Sequence, residues 1–162
     1  MKVFIISLLF ILLFIEGYSS NSNDSLRDTI YFNLTDTILK AGKKYILHVD
    51  YSHSDDKWLK YYNNDHVDSL LIFLKRNPGV IIEIGAHTDC RAPIEHNDSL
   101  SYHRARELAE YLVYKRISYH RLIPRGYGER EHLINCPCYK CTEEEHSINR
   151  RIEVKLLDIK KL

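Results

Sequence analysis

The sequence lacks an excess of either charge. Its 23 Lys plus Arg stand against 22 Asp plus Glu, a formal net charge of +1. A partner held by bulk charge, such as duplex DNA or an anionic membrane face, is therefore not expected. Any charged ligand must be read by a few placed residues. Catalytic signatures are also missing: there is no G-x-S-x-G, no H-E-x-x-H and no Gly-rich phosphate loop. Cys90 and His87 suggest a thiol hydrolase only weakly. An i, i+3 pair at a strand end seldom reaches the required geometry, and oxidation would disable the thiol. No enzyme and no cofactor are expected. The chain, with 162 residues, has no room for a membrane barrel of eight strands of about ten residues each.

A membrane-spanning run is absent too. Val3 to Ile15 is almost unbroken apolar sequence, but about 13 residues fall short of the roughly 20 a bilayer requires. Met1-Lys2 precedes it, and Gly17 and Ser19 supply small residues after it. That layout reads as a secretory signal peptide over residues 1–19, with cleavage after Ser19 and an uncleaved anchor as the competing reading. No Cys follows the apolar run, so a lipid-modified N-terminus is not expected. Export makes the even number of cysteines informative. Cys90, Cys136, Cys138 and Cys141 read first as two disulfides, with three pairings open. Zinc held by Cys136, Cys138, Cys141 and His146 is the alternative.

Twelve Tyr and nine His assign nothing by themselves, and no internal repeat is present. Residues 20–43 read as a polar lead-in with a short strand-like piece, Thr29 to Leu34. A domain over 44–162 follows. Tyr45 to Tyr51 alternates with Tyr45, Leu47, Val49 and Tyr51 on one face, a strand pattern. Ser52 to Asn64, around the lone Trp58, reads as a loop. Asp65 to Arg76 places Val67, Leu70, Leu71 and Leu74 at helical spacing, and Asn77-Pro78-Gly79 stops it. Val80 to His87 is a buried-type strand. Ser99 to Ile117 predicts a second helix capped by Asn97, Asp98 or Ser99. Arg121 to Tyr127 carries Pro124, which suits an edge strand. Residues 130–147 read as a Cys-bearing loop. Ile148 to Leu157 alternates, with Ile152, Val154 and Leu156 inward and Arg151, Glu153 and Lys155 outward. The order β-α-β-α-β-β implies an α+β fold: a mixed four-stranded sheet with helices packed on one face.

The residues that suggest a function lie in Ile84-Gly85-Ala86-His87-Thr88-Asp89, then Asn97, Leu100-Ser101 and Arg104-Ala105. Gly126-Tyr127-Gly128-Glu129 and Asn149-Arg150-Arg151 follow downstream. Together, in this order and spacing, they resemble the OmpA-like C-terminal domain, a peptidoglycan-binding family. The resemblance covers about residues 44 to 158. The Cys-rich insert, followed by Glu143-Glu144-Glu145-His146, looks like the variant of Bacteroidetes-type members. What the resemblance implies is a non-catalytic module of the cell envelope, exported to the periplasm and associated with the outer membrane. Its expected partner is the diaminopimelate of a peptidoglycan stem peptide, with other envelope proteins as further partners and no nucleic acid.

A carboxylate and a guanidinium held together can clamp a zwitterion. Asp89, just past a strand end, would take the ammonium, and Arg104, fifteen residues on, the carboxylate. By resemblance Thr88, Asn97 and Leu100 line the pocket, and Arg150 lies near the ligand. Arg104 is expected in the first turn of its helix, where free N–H groups favour anions. A further ligand residue is expected within Tyr51 to Asp56. His87 reads as a packed strand-end residue. The alternative function is an interaction module that meets another envelope protein through Tyr45 to Tyr62, with the wall site vestigial.

Overall fold

The computed structural model describes residues 33–47, 49 and 64–159. The expected signal peptide, residues 20–32 of the lead-in and residues 50–63, with Trp58 and the expected ligand residue after the first strand, lie outside the described residues. The elements run β1 (Lys44–Leu47), α1 (Asp65–Arg76), β2 (Val80–His87), α2 (Ile94–Tyr114), β3 (Leu122–Gly128), α3 (Glu143–Asn149) and β4 (Ile152–Ile159). The strands form one mixed sheet in the order β1-β4-β2-β3. β4 is antiparallel to both β1 and β2, and β3 is parallel to β2. The α+β class and the four-stranded mixed sheet are as expected.

α1 is set by local chemistry. Asn64 Oδ1 accepts from His66 N at 3.0 Å and Val67 N at 3.1 Å, satisfying two donors at the helix start. Val67, Leu70, Leu71, Phe73 and Leu74 are buried against the sheet core. At the other end Arg121 donates to Leu74 O at 2.9 Å, Asn77 O at 2.8 Å and Val80 O at 2.8 Å. The chain leaving α2 thus caps the end of α1 and the start of β2.

The core lies between the helices and one sheet face. Ile82, Ile84, Ala86, Ile152, Val154 and Leu156 are fully buried there. β3 is an edge strand, and Pro124 occupies it opposite Ile84. α2 lies so close on β3 that a Cβ at Gly126 would stand 2.8 Å from Tyr102 Cα, nearer than packed atoms approach. Only glycine fits.

Four expectations need correction. α2 begins at Ile94, with Pro93 at its cap position, and not at Ser99. Asn97 lies inside the helix with its side chain turned to the preceding loop. The segment read as a loop contains α3. β4 starts at Ile152: Ile148 and Asn149 end α3, Arg150 is its C-cap, and Arg151 links the cap to the strand. Arg151 and Glu153 do face away from the helices, but they are buried, at 6% and 3% exposure. The passing loop covers Arg151, whose Nη2 donates to Glu131 O at 2.9 Å, and Lys44 of β1 donates to Glu153 at 2.6 Å.

Candidate functional site

The site forms where β2 runs out. The Thr88 amide donates to Gly128 O at 2.9 Å, which continues the β2–β3 ladder one step beyond the strand. The backbone then turns, and Asp89 ends in a loop closed from two sides. Asn97 Nδ2 approaches Asp89 O at 3.0 Å, Ala92 O at 3.0 Å and Glu129 Oε2 at 2.6 Å. On the other side Cys90 bridges to Cys138, with Cα atoms 5.7 Å apart. Cys136 bridges to Cys141. All four cysteines are paired, as the first sequence reading expected. The insert is therefore fastened to the residue next to Asp89.

Asp89 is 7% exposed. Its Oδ2 accepts from Arg91 Nε at 3.0 Å, Arg91 Nη2 at 2.7 Å and Arg150 Nη1 at 2.7 Å. Its Oδ1 accepts one bond, from Arg91 N at 3.2 Å. Burial alone would raise the Asp89 carboxyl, but the hydrogen bonds from Arg91 and Arg150 outweigh it and hold it at about 2. The group is ionised at any physiological pH. Glu143, in the first turn of α3, completes a ring: it accepts from Arg91 Nη1 at 2.7 Å and from Arg150 Nη2 at 2.6 Å. Two carboxylates and two guanidiniums alternate, so the ring is neutral. Its outer members are open to water, Glu143 at 66% and Arg91 at 48% side-chain exposure, whereas Arg150 is at 19%.

The structure thus brings Asp89, Asn97 and Arg150 together. Arg150 does so from the C-cap of α3 and not from a strand. Thr88 is buried beside Asp89, and its hydroxyl has no hydrogen-bond partner among the described residues. Leu100 is half-buried in the second turn of α2. Arg104 is half-buried, on the same helical face as Asn97 two turns further on. Because α2 starts early, Arg104 is about 15 Å along the axis from Ile94, at 1.5 Å per residue, beyond the reach of the free N–H groups. The helix-terminus argument for it does not hold.

Sequence reasoning missed Arg91, Glu129 and Glu143. A signal for Glu143 was available. Thr142-Glu143-Glu144-Glu145 is a capping-box pattern, and both its bonds form: Glu145 N donates to Thr142 Oγ1 at 3.2 Å, and Thr142 N to Glu145 Oε2 at 2.8 Å. It announces a helix whose first residue is Glu143.

Behind the site, on the face away from the helices, lies a polar layer. His87 is 1% exposed, as a packed strand-end residue should be, and stacks on Tyr127 with ring centroids 4.9 Å apart. Burial, reinforced by nearby Arg151, lowers His87 to about 4. The Tyr127 hydroxyl donates to Glu83 Oε1 at 2.6 Å, and burial with that bond pushes it up to about 12.

A βαβ-type crossover with a short capped insert on a mixed four-stranded sheet defines a class of α+β domain, and comparison with known proteins places it. The OmpA family model matches residues 59–145, and the chain belongs to that family. It is 30% identical over 90 residues to outer membrane porin F of Pseudomonas fluorescens, an alignment covering 56% of this chain and 26% of the porin. It is 33% identical over 99 residues to the peptidoglycan-associated lipoprotein of Legionella pneumophila, covering 61% of this chain and 54% of the lipoprotein. The match thus spans about half or less of these relatives. The crystal structure of the peptidoglycan-associated lipoprotein from Burkholderia pseudomallei superposes with a TM-score of 0.50 at 20% identity, covering 70% of this chain and 87% of that one. That likeness concerns the fold. Among the described residues no helix is long and apolar enough to cross a membrane.

Proposed function

We propose that this chain is a non-catalytic peptidoglycan-binding domain of the bacterial envelope, exported to the periplasm. It would grip the free amino-acid end of diaminopimelate in the stem peptide. The observation that carries the reading is Asp89: a nearly buried carboxylate, held ionised, at the open end of a central strand in a chain of the OmpA family. The name of the lipoprotein relative points to the same partner.

Asp89 Oδ1 holds a single, long hydrogen bond, so it keeps a lone pair for an incoming ammonium. The Thr88 hydroxyl, without a partner among the described residues, is a second polar atom for the ligand to satisfy. The ligand carboxylate would go to Arg104 from α2. Arg150 would stabilise the assembly from behind Asp89, and Asn97 would shape the loop. Glu143 accepts from both Arg91 and Arg150, so it holds the two guanidiniums that position Asp89 for the ammonium. One such contact is weak. Retention in the envelope would come from the many equivalent sites on the wall.

Co-sedimentation with purified sacculi tests the reading. Wild type should pellet, and Asp89→Ala and Arg104→Ala, each checked for folding by circular dichroism, should stay soluble. Equal pelleting of all three would overturn the site. A wild type that stays in the supernatant would overturn peptidoglycan as the partner and leave the interaction-module reading.

A further inference from the structure

A second cluster, outside the proposed ligand site, has no role in that reading. The sulfurs of Cys90 and Cys141 and one ring nitrogen of His146 lie within 4.8 Å of one another. The bridges place the Cys138 sulfur one bond beyond Cys90 and the Cys136 sulfur one bond beyond Cys141, outside that group of three. His146 is 4% exposed, and its Nδ1 has no hydrogen-bond partner among the described residues. A buried polar atom left unpaired costs about 1–3 kcal/mol. Disulfide sulfurs are weak acceptors and carry no proton to give, so the oxidised cluster does not recover that cost. A metal ion would.

We propose that, once its two bridges are reduced, this cluster binds one zinc-class divalent cation through the thiolates of Cys90, Cys138 and Cys141 and Nδ1 of His146. Tetrahedral zinc ligands at about 2.0–2.3 Å from the ion stand roughly 3.5–3.8 Å apart, so Cys90, Cys141 and His146 need only small side-chain rotations, and Cys138, once released from Cys90, must swing further to join them. Cys138 and Cys141 form the C-x2-C chelate typical of such sites, which is why Cys138 and not Cys136 is the third thiolate. The balance is simple. A phosphine or dithiol reductant supplies two electrons to each bridge, and two protons per bridge complete four thiols. The cation then releases three protons, from Cys90, Cys138 and Cys141, and Cys136 remains a thiol. The cation would tie the residue beside Asp89 to the insert just as the Cys90–Cys138 bridge does. This site is independent of the peptidoglycan reading.

The test is anaerobic titration of the full chain with Co2+ after reduction by a phosphine, followed by the visible and near-ultraviolet spectrum. The reduced protein should take up one equivalent, with tetrahedral d–d bands and a thiolate charge-transfer band, and the oxidised protein none. Cys90→Ser and His146→Asn should each weaken binding roughly tenfold or more, by loss of one ligand of four. Because those variants could lose the fold, X-ray absorption of the zinc-loaded wild type counts ligands directly: three sulfurs and one nitrogen are expected. No uptake by the reduced chain, four sulfurs at the ion, or unchanged affinity in folded Cys90→Ser and His146→Asn variants would overturn the proposal. The last two results would place the ion on cysteines without the buried imidazole, or on the 136–141 segment alone.

Discussion

Removing the Cys90–Cys138 bridge tests how the site is built. The bridge closes a loop with a sequence separation of 48, and Cys136–Cys141 one of 5. In the chain-entropy account the stabilisation is 2.1 + 1.5R ln n cal/mol/K times temperature, or about 4 kcal/mol for the long loop and about 2 kcal/mol for the short one. For a domain of this size about 1 kcal/mol moves Tm by roughly 4 °C. Cys90→Ser/Cys138→Ser should therefore lower Tm by about 16 °C, and Cys136→Ser/Cys141→Ser by about 8 °C. Urea denaturation at 25 °C, read by circular dichroism, gives the free energies without reductant. The first variant also frees the Asp89 loop from the insert, so it should lose sacculus binding at temperatures where it is still folded. The second should keep it, because α3 is still held by its capping box and by Asn149, whose side chain bonds Leu133 N and Ile134 N and O. Equal losses from the two variants, or a larger loss from the short loop, would refute the reasoning.

Other outcomes follow from the same contacts. His87 is neutral in the fold down to about 4, against 6.5 when unfolded. Between those values the unfolded chain binds a proton that the folded chain does not, so stability is full above pH 6.5 and falls as pH drops toward 4, by up to about 3 kcal/mol. His87→Phe, which keeps the stack on Tyr127, should remove that slope in urea titrations at pH 4.5 and 7, and a slope unchanged by it would contradict the assignment. Gly126→Ala drives a methyl into the α2 backbone and should cost about 1–3 kcal/mol by denaturation, with a neutral result excluding the close approach. Glu143→Gln removes the negative charge that holds Arg91 and Arg150 in the ring. A diaminopimelate-containing muropeptide should then bind more weakly by calorimetry, because both guanidiniums turn more fully onto Asp89, and unchanged or tighter binding would show that Glu143 does not position the site.

Much of this architecture is legible in the sequence where the signal is local. Asp65–Arg76 and Val80–His87 stand where periodicity and the Asn77-Pro78-Gly79 stop place them. Parity along β4 is also right, with Ile152, Val154 and Leu156 in the core. Exposure on the other face is not, because whether Arg151 meets water depends on a loop arriving from residue 131. α3 escaped notice because a seven-residue helix makes no hydrophobic stripe, although its cap is written in Thr142 and Glu145. The ion ring shows the same limit. Asp89 and Arg150 could be named from their motifs, but Arg91 joins Glu143 across 52 positions and Asp89 joins Arg150 across 61. No local pattern reports such pairs. The error at Arg104 was one of boundary: a Pro-started first turn moved the helix origin five residues upstream.

The central claim is that the end of β2 at Asp89 receives the charged end of a wall diamino acid. Titrating the isotopically labelled protein with a diaminopimelate tripeptide, followed by amide chemical shifts, addresses it residue by residue. The account predicts saturable shifts concentrated at Thr88, Asp89, Arg91, Asn97 and Arg104, lost in Asp89→Ala. Shifts confined to other surfaces, or none at saturating peptide, would contradict it.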